Sequence, residues 1–345
     1  MINYGKQNLD SKDINEVIKV LKTDFITQGS KIKEFEDVLK KKFGSKFCTV
    51  VSSGTSALHL AGLALNWKKG DIVLTSPISF LASANCIVYS NATPDFADID
   101  EKTYTLDPEK VEKKIHYYRK KGKKIKSIIG VDYAGHPCDW ESLRYLSNKY
   151  NISLINDNCH ALGSSYKGNI NYAVKYADIV TQSYHPVKAI TTGEGGSVFS
   201  NDNKIDNFIK MYRNHGIERN EKLKSKQGLW LYKMNHLGYN YRITDFQCAL
   251  GISQLSKLDT FIKKRNLIAT KYNYTFKKNE KFITPFVSKN VNHSYHIYPL
   301  KINFIKTKTN KKKLFIKMKK SGINLMVHYI PIHLQPFYRK KYGLL

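Results

Sequence analysis

Short apolar runs recur through the first part of the chain, and polar or glycine-rich segments separate them. Most of these runs are apolar on both sides and contain β-branched residues, which is typical of strands in a parallel sheet that helices cover. Apolar residues recur at helical spacing in Ser56–Leu65 and in Asp139–Lys149, and Asp139 is expected to cap the second helix. The predicted strands are Asp71–Thr75, Ile125–Val131, Ile152–Asn156, Ala177–Thr181 and Gly196–Ser200.

The alternation of strands and helices predicts an α/β domain with a mostly parallel sheet, which would cover residues 1–250. The pattern then changes and predicts a smaller α+β domain in residues 251–345. The elements expected in this later part are a long helix over Thr244–Lys264, a strand over His296–Ile302, a basic helix over Lys311–Lys319 and a strand over Asn324–Tyr329.

The composition is that of an ordinary globular protein, with 41% hydrophobic and 25% charged residues among 345. No apolar run reaches the roughly 18 residues that a membrane-spanning helix needs, and the first residues, MINYGKQNLD, are unlike a secretion signal. The five cysteines form no Cys-x-x-Cys pair, which argues against a disulfide framework or a structural zinc site. We therefore expect a protein of the reducing cytoplasm that does not contact a membrane.

A net charge of +29 is compatible with a nucleic acid, a membrane surface or an acidic ligand as partner. The lysines are spread along the chain, and no recognisable DNA- or RNA-reading module accompanies them. We interpret the charge as compositional drift that would also attract an anionic substrate. A non-enzymatic basic protein that binds nucleic acid is the distant alternative, and its binding would depend strongly on salt.

The segment SSGTSAL, Ser52–Leu58, places small residues and a glycine at the start of a predicted helix. Backbone N–H groups at a helix N-terminus carry partial positive charge and are suited to a phosphate group. Gly54, Thr55 and Ser56 are therefore candidates for a phosphate site. The alternative is a simple N-cap at Ser53 or Thr55, which needs no ligand.

Asp157 follows the predicted strand Ile152–Asn156, at the end of the sheet where α/β proteins place their ligands. Its carboxylate could hold a protonated ring nitrogen, and His160 could lean over the same ring. The alternative is a helix cap at Asp157 beside a histidine that serves packing.

Lys188 lies in a third loop, SYHPVKAITTGEGG (183–196), which follows the strand Ala177–Thr181. His185 and Pro186 fix a non-helical path before the lysine, and the glycines after it allow close approach of the backbone. Taken alone, Lys188 could still be one surface charge among many.

The three segments together supply what pyridoxal 5′-phosphate requires. That cofactor needs a phosphate site, an acidic partner for its ring nitrogen and a lysine that forms a Schiff base with it. Phe80, after the strand Asp71–Thr75, would supply an aromatic face for the ring. No metal site is expected, because histidine pairs such as His293 and His296 lack carboxylates at a matching spacing.

These motifs resemble the DegT/DnrJ/EryC1/StrS family of sugar aminotransferases. The resemblance implies a fold type I enzyme with the architecture of aspartate aminotransferase, and a homodimer whose active sites form between two chains. The matching segments are ITQGSKIKEFE (26–36), SGTSAL (53–58), DNCHALG (157–163), SYHPVKAITTGEGG (183–196) and GYNYRITDFQCALG (238–251).

The resemblance also implies a role for each matching residue. Lys188 would be the catalytic Schiff-base lysine, Asp157 would pair with the pyridine nitrogen, and Ser183 would bind the phosphate. The other cofactor contacts would be Gly54, Thr55, Ser56, Phe80 and His160, with Asn240 and Arg242 contributed by the other subunit. The sugar-nucleotide site would be lined by Tyr4, Phe25, Ile26, Thr27, Gln28, His185, His328, Tyr329, Ile330 and Pro331.

Three segments, YGKQ (4–7), HPVK (185–188) and HYIPIHLQPFY (328–338), resemble one branch of the family. That branch transfers an amino group from glutamate to C4 of a UDP-linked 4-keto-6-deoxy-N-acetylhexosamine in pseudaminic acid biosynthesis. Amination of a dTDP- or GDP-linked sugar, or at C3, is the alternative within the family. Members that dehydrate sugars carry histidine in place of the lysine, so Lys188 argues against dehydration.

The sequence departs from the family pattern in several respects. It ends at Leu345, soon after the HLQPFY motif, whereas members usually continue with a last helix and strand. The smaller domain is therefore expected to be incomplete at its C-terminus. Asn158 and Cys159 stand where small residues are common, but neither difference removes a catalytic group.

Overall fold

The computed structural model describes residues 1–218, 228 and 230–343. A seven-stranded sheet forms its centre, and six two-residue strands pair outside that sheet in the described part of the chain. The seven strands are β1 (Phe47–Val51), β2 (Ile72–Thr75), β3 (Thr93–Phe96), β4 (Ile125–Val131), β5 (Ser153–Asp157), β7 (Ile179–Ser183) and β8 (Gly196–Ser200); the short ones are β6 (Ser165–Tyr166), β9 (Ile217–Glu218), β10 (Lys233–Met234), β11 (Phe282–Ile283), β12 (Val291–Asn292) and β13 (Lys301–Ile302).

The large sheet has the strand order β1-β8-β7-β5-β4-β2-β3. The five strands from β7 to β3 run parallel, whereas β8 and β1 pair antiparallel. Asp157 lies opposite Val131 on one side and Thr181 on the other, so the carboxyl ends of three neighbouring strands meet at one edge. The mostly parallel sheet of the sequence analysis is confirmed.

Helices connect the strands and cover the sheet. Asp139 caps its helix as predicted, because its side chain accepts a hydrogen bond from the Ser142 N–H at the start of that helix. The helices are α1 (Ser11–Leu21), α2 (Ser30–Phe43), α3 (Gly54–Ala64), α4 (Ala82–Tyr89), α5 (Pro108–Lys120), α6 (Trp140–Tyr150), α7 (Tyr172–Tyr176), α8 (Asn203–Tyr212), α9 (Asp245–Leu255), α10 (Leu258–Phe276), α11 (Lys311–Lys320) and α12 (Pro336–Tyr342), with 3₁₀ turns at Tyr133–Gly135 and Ile332–Leu334.

Neighbouring residues of β5 belong to two different hydrophobic clusters, one on each face of the sheet. Leu154 lies in the cluster that contains Trp140, and Ile155 lies in the cluster that contains Leu58. This alternation is the period of two that a strand imposes. Because both faces are buried, the strand shows the continuous apolar run by which it was predicted.

The predicted strands agree with the sheet where the sequence is most apolar. β4 and β8 have the predicted bounds, and β5 and β7 begin slightly later than predicted. β1 and β3 lie outside the predicted strands. β3 contains Pro94 and takes the edge position, where a residue without an N–H is tolerated.

The helical stretch predicted from Thr244 is confirmed and continues to Phe276, but Ser256–Lys257 divide it into two helices, and Lys257 forms ion pairs with Asp10 and Asp13. Two strand predictions for the later part of the chain are wrong. Of His296–Ile302, only Lys301–Ile302 is a strand. Asn324–Tyr329 forms no strand, because it lies along a cavity wall and its neighbour Ile323 makes only an isolated bridge to Ile2.

The basic helix is confirmed as α11. The division of the chain into residues 1–250 and 251–345 stays a prediction, and α9 extends across residue 250. Within the ranges that the structure describes, no helix is both long and apolar enough to cross a membrane.

Candidate active site

A cavity of about 780 Å³ lies at the carboxyl ends of β5 and β7. Asp157 is the last residue of β5 and Ser183 is the last residue of β7, so adjacent strands deliver both side chains to one place. The start of α3 and the extended segment 326–330 form other walls. The predicted site residues that line this cavity are Tyr4, Gly54, Thr55, Phe80, Asp157, His160, Ser183, His185, Lys188, His328, Tyr329 and Ile330.

The N-terminus of α3 forms an anion cradle at the inner end of the cavity. The Ser53 side chain caps the helix by accepting a hydrogen bond from the Ser56 N–H at 3.0 Å. The N–H groups of Gly54 and Thr55 cannot pair within the helix, since they belong to its first turn. Ser56 is committed to the cap, because its hydroxyl accepts from the Ser53 N–H at 2.9 Å, and it does not line the cavity.

Gly54 allows the helix to approach Ser183 closely. A Cβ at this position would lie 2.7 Å from the Cβ of Ser183, which is closer than real side chains come. The two donors of the helix and the Ser183 hydroxyl therefore share one small space. The capping interpretation and the phosphate interpretation are compatible, because Ser53 caps the helix while Gly54 and Thr55, whose N–H groups are not paired within the helix, line the cavity.

Asp157 is 5% exposed, and its carboxylate is held from two sides. The hydroxyl of Ser83 in α4 donates to one oxygen at 2.6 Å. The backbone N–H of Cys159 donates to the other oxygen at 3.3 Å. A carboxylate fixed in this way can pair with a cationic group that enters the cavity.

Lys188 follows a tight turn in which its backbone N–H donates to the His185 carbonyl at 2.8 Å. Burial lowers the pKa of the Lys188 amine, while the charges of Cys159 and Asp157 act in the opposite direction. A lowered pKa increases the neutral fraction of the amine near neutral pH, and the neutral amine is the nucleophilic form.

His160 is held as a neutral ring beside Lys188. Its Nδ1 accepts a hydrogen bond from the Ala134 N–H at 3.3 Å, which assigns the ring proton to Nε2, and Nε2 lies 3.2 Å from the hydroxyl of Tyr329. The His296 ring lies behind it at 4.4 Å between centroids. Burial lowers the pKa of His160 well below its usual range, and the charge of Lys188 acts in the same direction.

Several predicted site residues lie outside this cavity in the single chain. The Ile26 carbonyl accepts from the Asp245 N–H and Thr27 bridges to Thr244, which holds that segment against the start of α9. Arg242 donates to the Asn214 side chain at 2.6 Å. The residues placed elsewhere are Phe25, Ile26, Thr27, Gln28, Ser56, Asn240, Arg242 and Pro331, of which Gln28 and Arg242 line a separate cleft of about 430 Å³.

Other residues line the cavity although the sequence analysis did not select them. Cys159 and Glu194 belong to the same motifs as Asp157 and Lys188, so a closer reading of those motifs would have found them. Leu58, Leu81, His296 and Met326 also lie on the wall. His296 and Met326 come from the later part of the chain, and their sequence carries no local sign of the cavity.

The match to one protein family shows which proteins this chain is related to. The DegT/DnrJ/EryC1/StrS aminotransferase family matches residues 7–344. The chain belongs to this family. The family resemblance of the sequence analysis is therefore confirmed, and the chain is an aminotransferase.

Relatives in the family are similar over nearly the whole chain. The UDP-4-amino-4,6-dideoxy-N-acetyl-beta-L-altrosamine transaminase of Campylobacter jejuni subsp. jejuni serotype O:23/36 is 41% identical over 343 residues, which cover 99% of this chain and 87% of the relative. Helicobacter pylori PseC, an aminotransferase involved in the biosynthesis of pseudoaminic acid, has a solved structure that is 32% identical with a TM-score of 0.87, covering 99% of this chain and 88% of that one.

The PMP-form of Spr1654, a sugar aminotransferase from Streptococcus pneumoniae, is 27% identical with a TM-score of 0.89, and the match covers 99% of this chain and 88% of that one. These structures confirm the fold type I architecture. The residues of the present chain also fit a phosphorylated pyridine cofactor. A helix start at which a single added Cβ would clash with Ser183, a fixed carboxylate and a half-buried lysine line one cavity, and these are the groups that pyridoxal phosphate requires.

Proposed function

We propose that this aminotransferase uses pyridoxal 5′-phosphate to move an amino group from glutamate to C4 of a UDP-linked 4-keto-6-deoxy-N-acetylhexosamine. The observation that carries the proposal is the convergence of Lys188, Asp157 and the start of α3 on one cavity. The substrate rests on the relatives from Campylobacter and Helicobacter, whose names specify an altrosamine transaminase and pseudoaminic acid biosynthesis. The branch motifs around His185 and His328 support the same assignment.

The cofactor supplies an electron sink for a carbanion next to its ring, and the chain supplies the groups that orient it and move protons. The N–H groups of Gly54 and Thr55 and the Ser183 hydroxyl would bind the phosphate. Asp157 would hold a proton on the pyridine nitrogen, and the bond from Ser83 keeps its carboxylate in place.

Lys188 has two roles in this scheme. Its amine would attach the cofactor, and the free amine would accept the proton from the α-carbon of the amino donor and later return a proton. The lowered pKa of Lys188, which burial causes, suits it to act as a base near neutral pH. Neutral His160 would lie beside the ring without adding a competing positive charge.

We also propose a homodimer in which each cavity is completed by the partner. Gln28, Asn240 and Arg242 lie too far from the cavity of their own chain to line it, as expected if they serve a second copy. Large apolar side chains near these segments face solvent in the single chain, with Phe25 66% and Leu237 81% exposed. Burying such side chains between two copies would stabilise a dimer.

The cytoplasm is the proposed location. All five cysteines are free, and Cys48, Cys86, Cys138 and Cys248 are buried. Free thiols of this kind are typical of a reducing compartment. Nucleotide-sugar substrates are also made from cytoplasmic nucleotides, so enzyme and substrate would meet there.

The test is an amino-transfer assay with ¹⁵N-labelled glutamate and a panel of keto-sugars linked to UDP, dTDP or GDP. We expect ¹⁵N at C4 of the UDP-linked N-acetylhexosamine, with a higher kcat/KM than for the other sugars. Preference for a dTDP- or GDP-linked sugar, or label at C3, would reject the substrate while leaving the aminotransferase activity in place. Salt-dependent nucleic-acid binding without any transfer would favour the basic binding protein instead.

A further inference from the structure

One carboxylate of the cavity has no task in the scheme above. Asp157 and Glu194 are the carboxylates among the described residues that line the cavity. Asp157 has both oxygens engaged with protein donors. The Glu194 side chain is 63% exposed at the mouth, with one oxygen 3.9 Å from Nε2 of His185.

The backbone of Glu194 is fixed although its side chain projects outward. Its carbonyl accepts hydrogen bonds from the Thr192 hydroxyl and the Gln247 amide, both at 2.8 Å. Gly193 precedes it with φ of 82°, a backbone conformation that favours glycine. The loop therefore fixes the backbone that carries this exposed carboxylate at the cavity rim.

We propose that Glu194 binds the hexose of the nucleotide sugar, by accepting a hydrogen bond from the hydroxyl next to the reacting carbon or from the amide N–H one carbon further along the ring, with His185 as its neighbour. This inference rests on the proposed function and adds a specificity residue to it. A carboxylate accepts such bonds strongly because it is charged. A site built to hydrogen-bond a substrate hydroxyl discriminates against sugars that lack it.

Charge favours the sugar over the amino donor as the ligand of Glu194. Glutamate brings two carboxylates into the cavity, and a third carboxylate close to them would repel them. In the nucleotide sugar, the negative charge lies on the diphosphate, which is attached at C1, and the reacting C4 is on the opposite side of the hexose ring. The hydroxyl and amide groups of that hexose are hydrogen-bond donors, which Glu194 can accept without repulsion.

The test measures the two half-reactions of the holoenzyme separately by single-turnover kinetics, for the wild type and Glu194→Gln. We expect the sugar half-reaction to lose about 3- to 20-fold in kcat/KM, mostly through KM, because the glutamine oxygen still accepts a hydrogen bond but carries no charge. The glutamate half-reaction should stay within about twofold of the wild type, since Glu194 does not contact the donor in this assignment. Glu109→Gln, on the exposed start of α5 and outside the cavity, is the matched control.

A second measurement uses a keto-sugar that lacks the hydroxyl next to the ketone. If that hydroxyl is the group bound, Glu194→Gln should not lower kcat/KM further with this analogue. If the N–H is bound, removing the acetamido group should remove the effect instead. The proposal is overturned if the sugar half-reaction is unchanged, if the glutamate half-reaction falls equally, or if neither analogue removes the effect. Absence of any glutamate half-reaction in the wild type would instead contradict the proposed function.

Discussion

Asp157 and Ser83 illustrate how one residue of the site depends on another element. The carboxylate of Asp157 is at the end of a strand, and its orientation comes from the Ser83 hydroxyl in α4 at 2.6 Å. Asp157 was predicted from its place after a strand. Ser83 could not be predicted, because its proximity arises from packing of α4 against the sheet.

Replacing Asp157 tests its role at the pyridine nitrogen. We expect Asp157→Asn to lower the rate of the glutamate half-reaction by about 100- to 1000-fold, the range for loss of one group that stabilises developing charge. Ser83→Ala should cost about tenfold at most, since it removes one positioning bond. The half-reaction rates of the two variants are measured from the change in absorbance of the bound cofactor. Equal, small effects of the two substitutions would contradict the assignment.

At the scale of elements, the start of α3 approaches the end of β7 across Gly54. The approach is too close for a side chain, because a Cβ would lie 2.7 Å from that of Ser183. The anion cradle at the start of α3 therefore depends on the relative position of a helix and a strand. The sequence predicts the helix start and the strand end separately, because both signals are local.

Gly54→Ala should displace the helix start and weaken cofactor binding. We expect the Kd for pyridoxal phosphate to rise at least about tenfold, together with a loss of about 1 to 3 kcal/mol in the free energy of unfolding from overpacking. Thr55→Ala keeps its backbone N–H and should change the Kd much less. Titration of each apoprotein with pyridoxal phosphate, followed by absorbance, measures the Kd of both variants. A Gly54→Ala protein with unchanged affinity would show that the cradle does not bind the phosphate.

Asp132 joins four residues that lie in two helices and two loops of the α/β part. Fully buried, it accepts hydrogen bonds from the backbone of Cys138, the Trp140 indole, the Asn158 amide and the Tyr172 hydroxyl, at 2.7 to 2.9 Å. Burial raises the pKa of Asp132 to about 6, although the hydrogen bonds act in the opposite direction. Asn158 follows Asp157 directly, so this network supports the loop that carries the site.

The raised pKa gives Asp132 a defined effect on stability. The folded state binds a proton here more tightly than the unfolded state, whose value is 3.8, so this residue's contribution to stability falls as pH rises from about 4 to 7. Asp132→Asn lacks this dependence. The destabilisation it causes should therefore be about 2 kcal/mol smaller at pH 7 than at pH 4. Denaturant unfolding at both pH values measures it, and a destabilisation that grows with pH would contradict the pKa direction.

Sequence patterns predicted the strands that lead to the cavity, because an apolar run identifies a strand within one segment. Asp157 and Ser183, which follow two of the predicted strands, line the cavity, and their roles there stay predictions. The apolar run in Asn324–Tyr329 suits a strand, but much of that segment lines the cavity wall instead. His296 and Met326 reach the cavity only through the packing of the later part of the chain, which no local pattern encodes.

At the scale of the whole molecule, the single chain separates two sets of predicted site residues. One set lines the cavity of Lys188, and the other, with Gln28 and Arg242, lines a different cleft. A twofold dimer would explain this separation, because residues from one chain can then complete the cavity of the other.

Coexpression of two inactive chains tests that arrangement. Heterodimers of Lys188→Ala with an Asn240→Ala, Arg242→Ala chain should contain one intact site, and an equal mixture should recover about a quarter of wild-type activity by symmetry. Lys188→Ala coexpressed with Asp157→Asn is the matched control, because both residues belong to the same cavity of one chain. Recovery of activity in the control pair, or no recovery in the test pair, would contradict active sites that are shared between the two chains.

Borohydride reduction of the holoenzyme, followed by peptide mass spectrometry, tests most directly whether Lys188 binds the cofactor. The site predicts a yellow protein in which reduction fixes pyridoxal phosphate to the peptide that carries Lys188, while the Lys188→Ala protein retains no label there. Attachment to a different lysine in the wild-type protein, or no attachment to any, would contradict the assignment of this cavity.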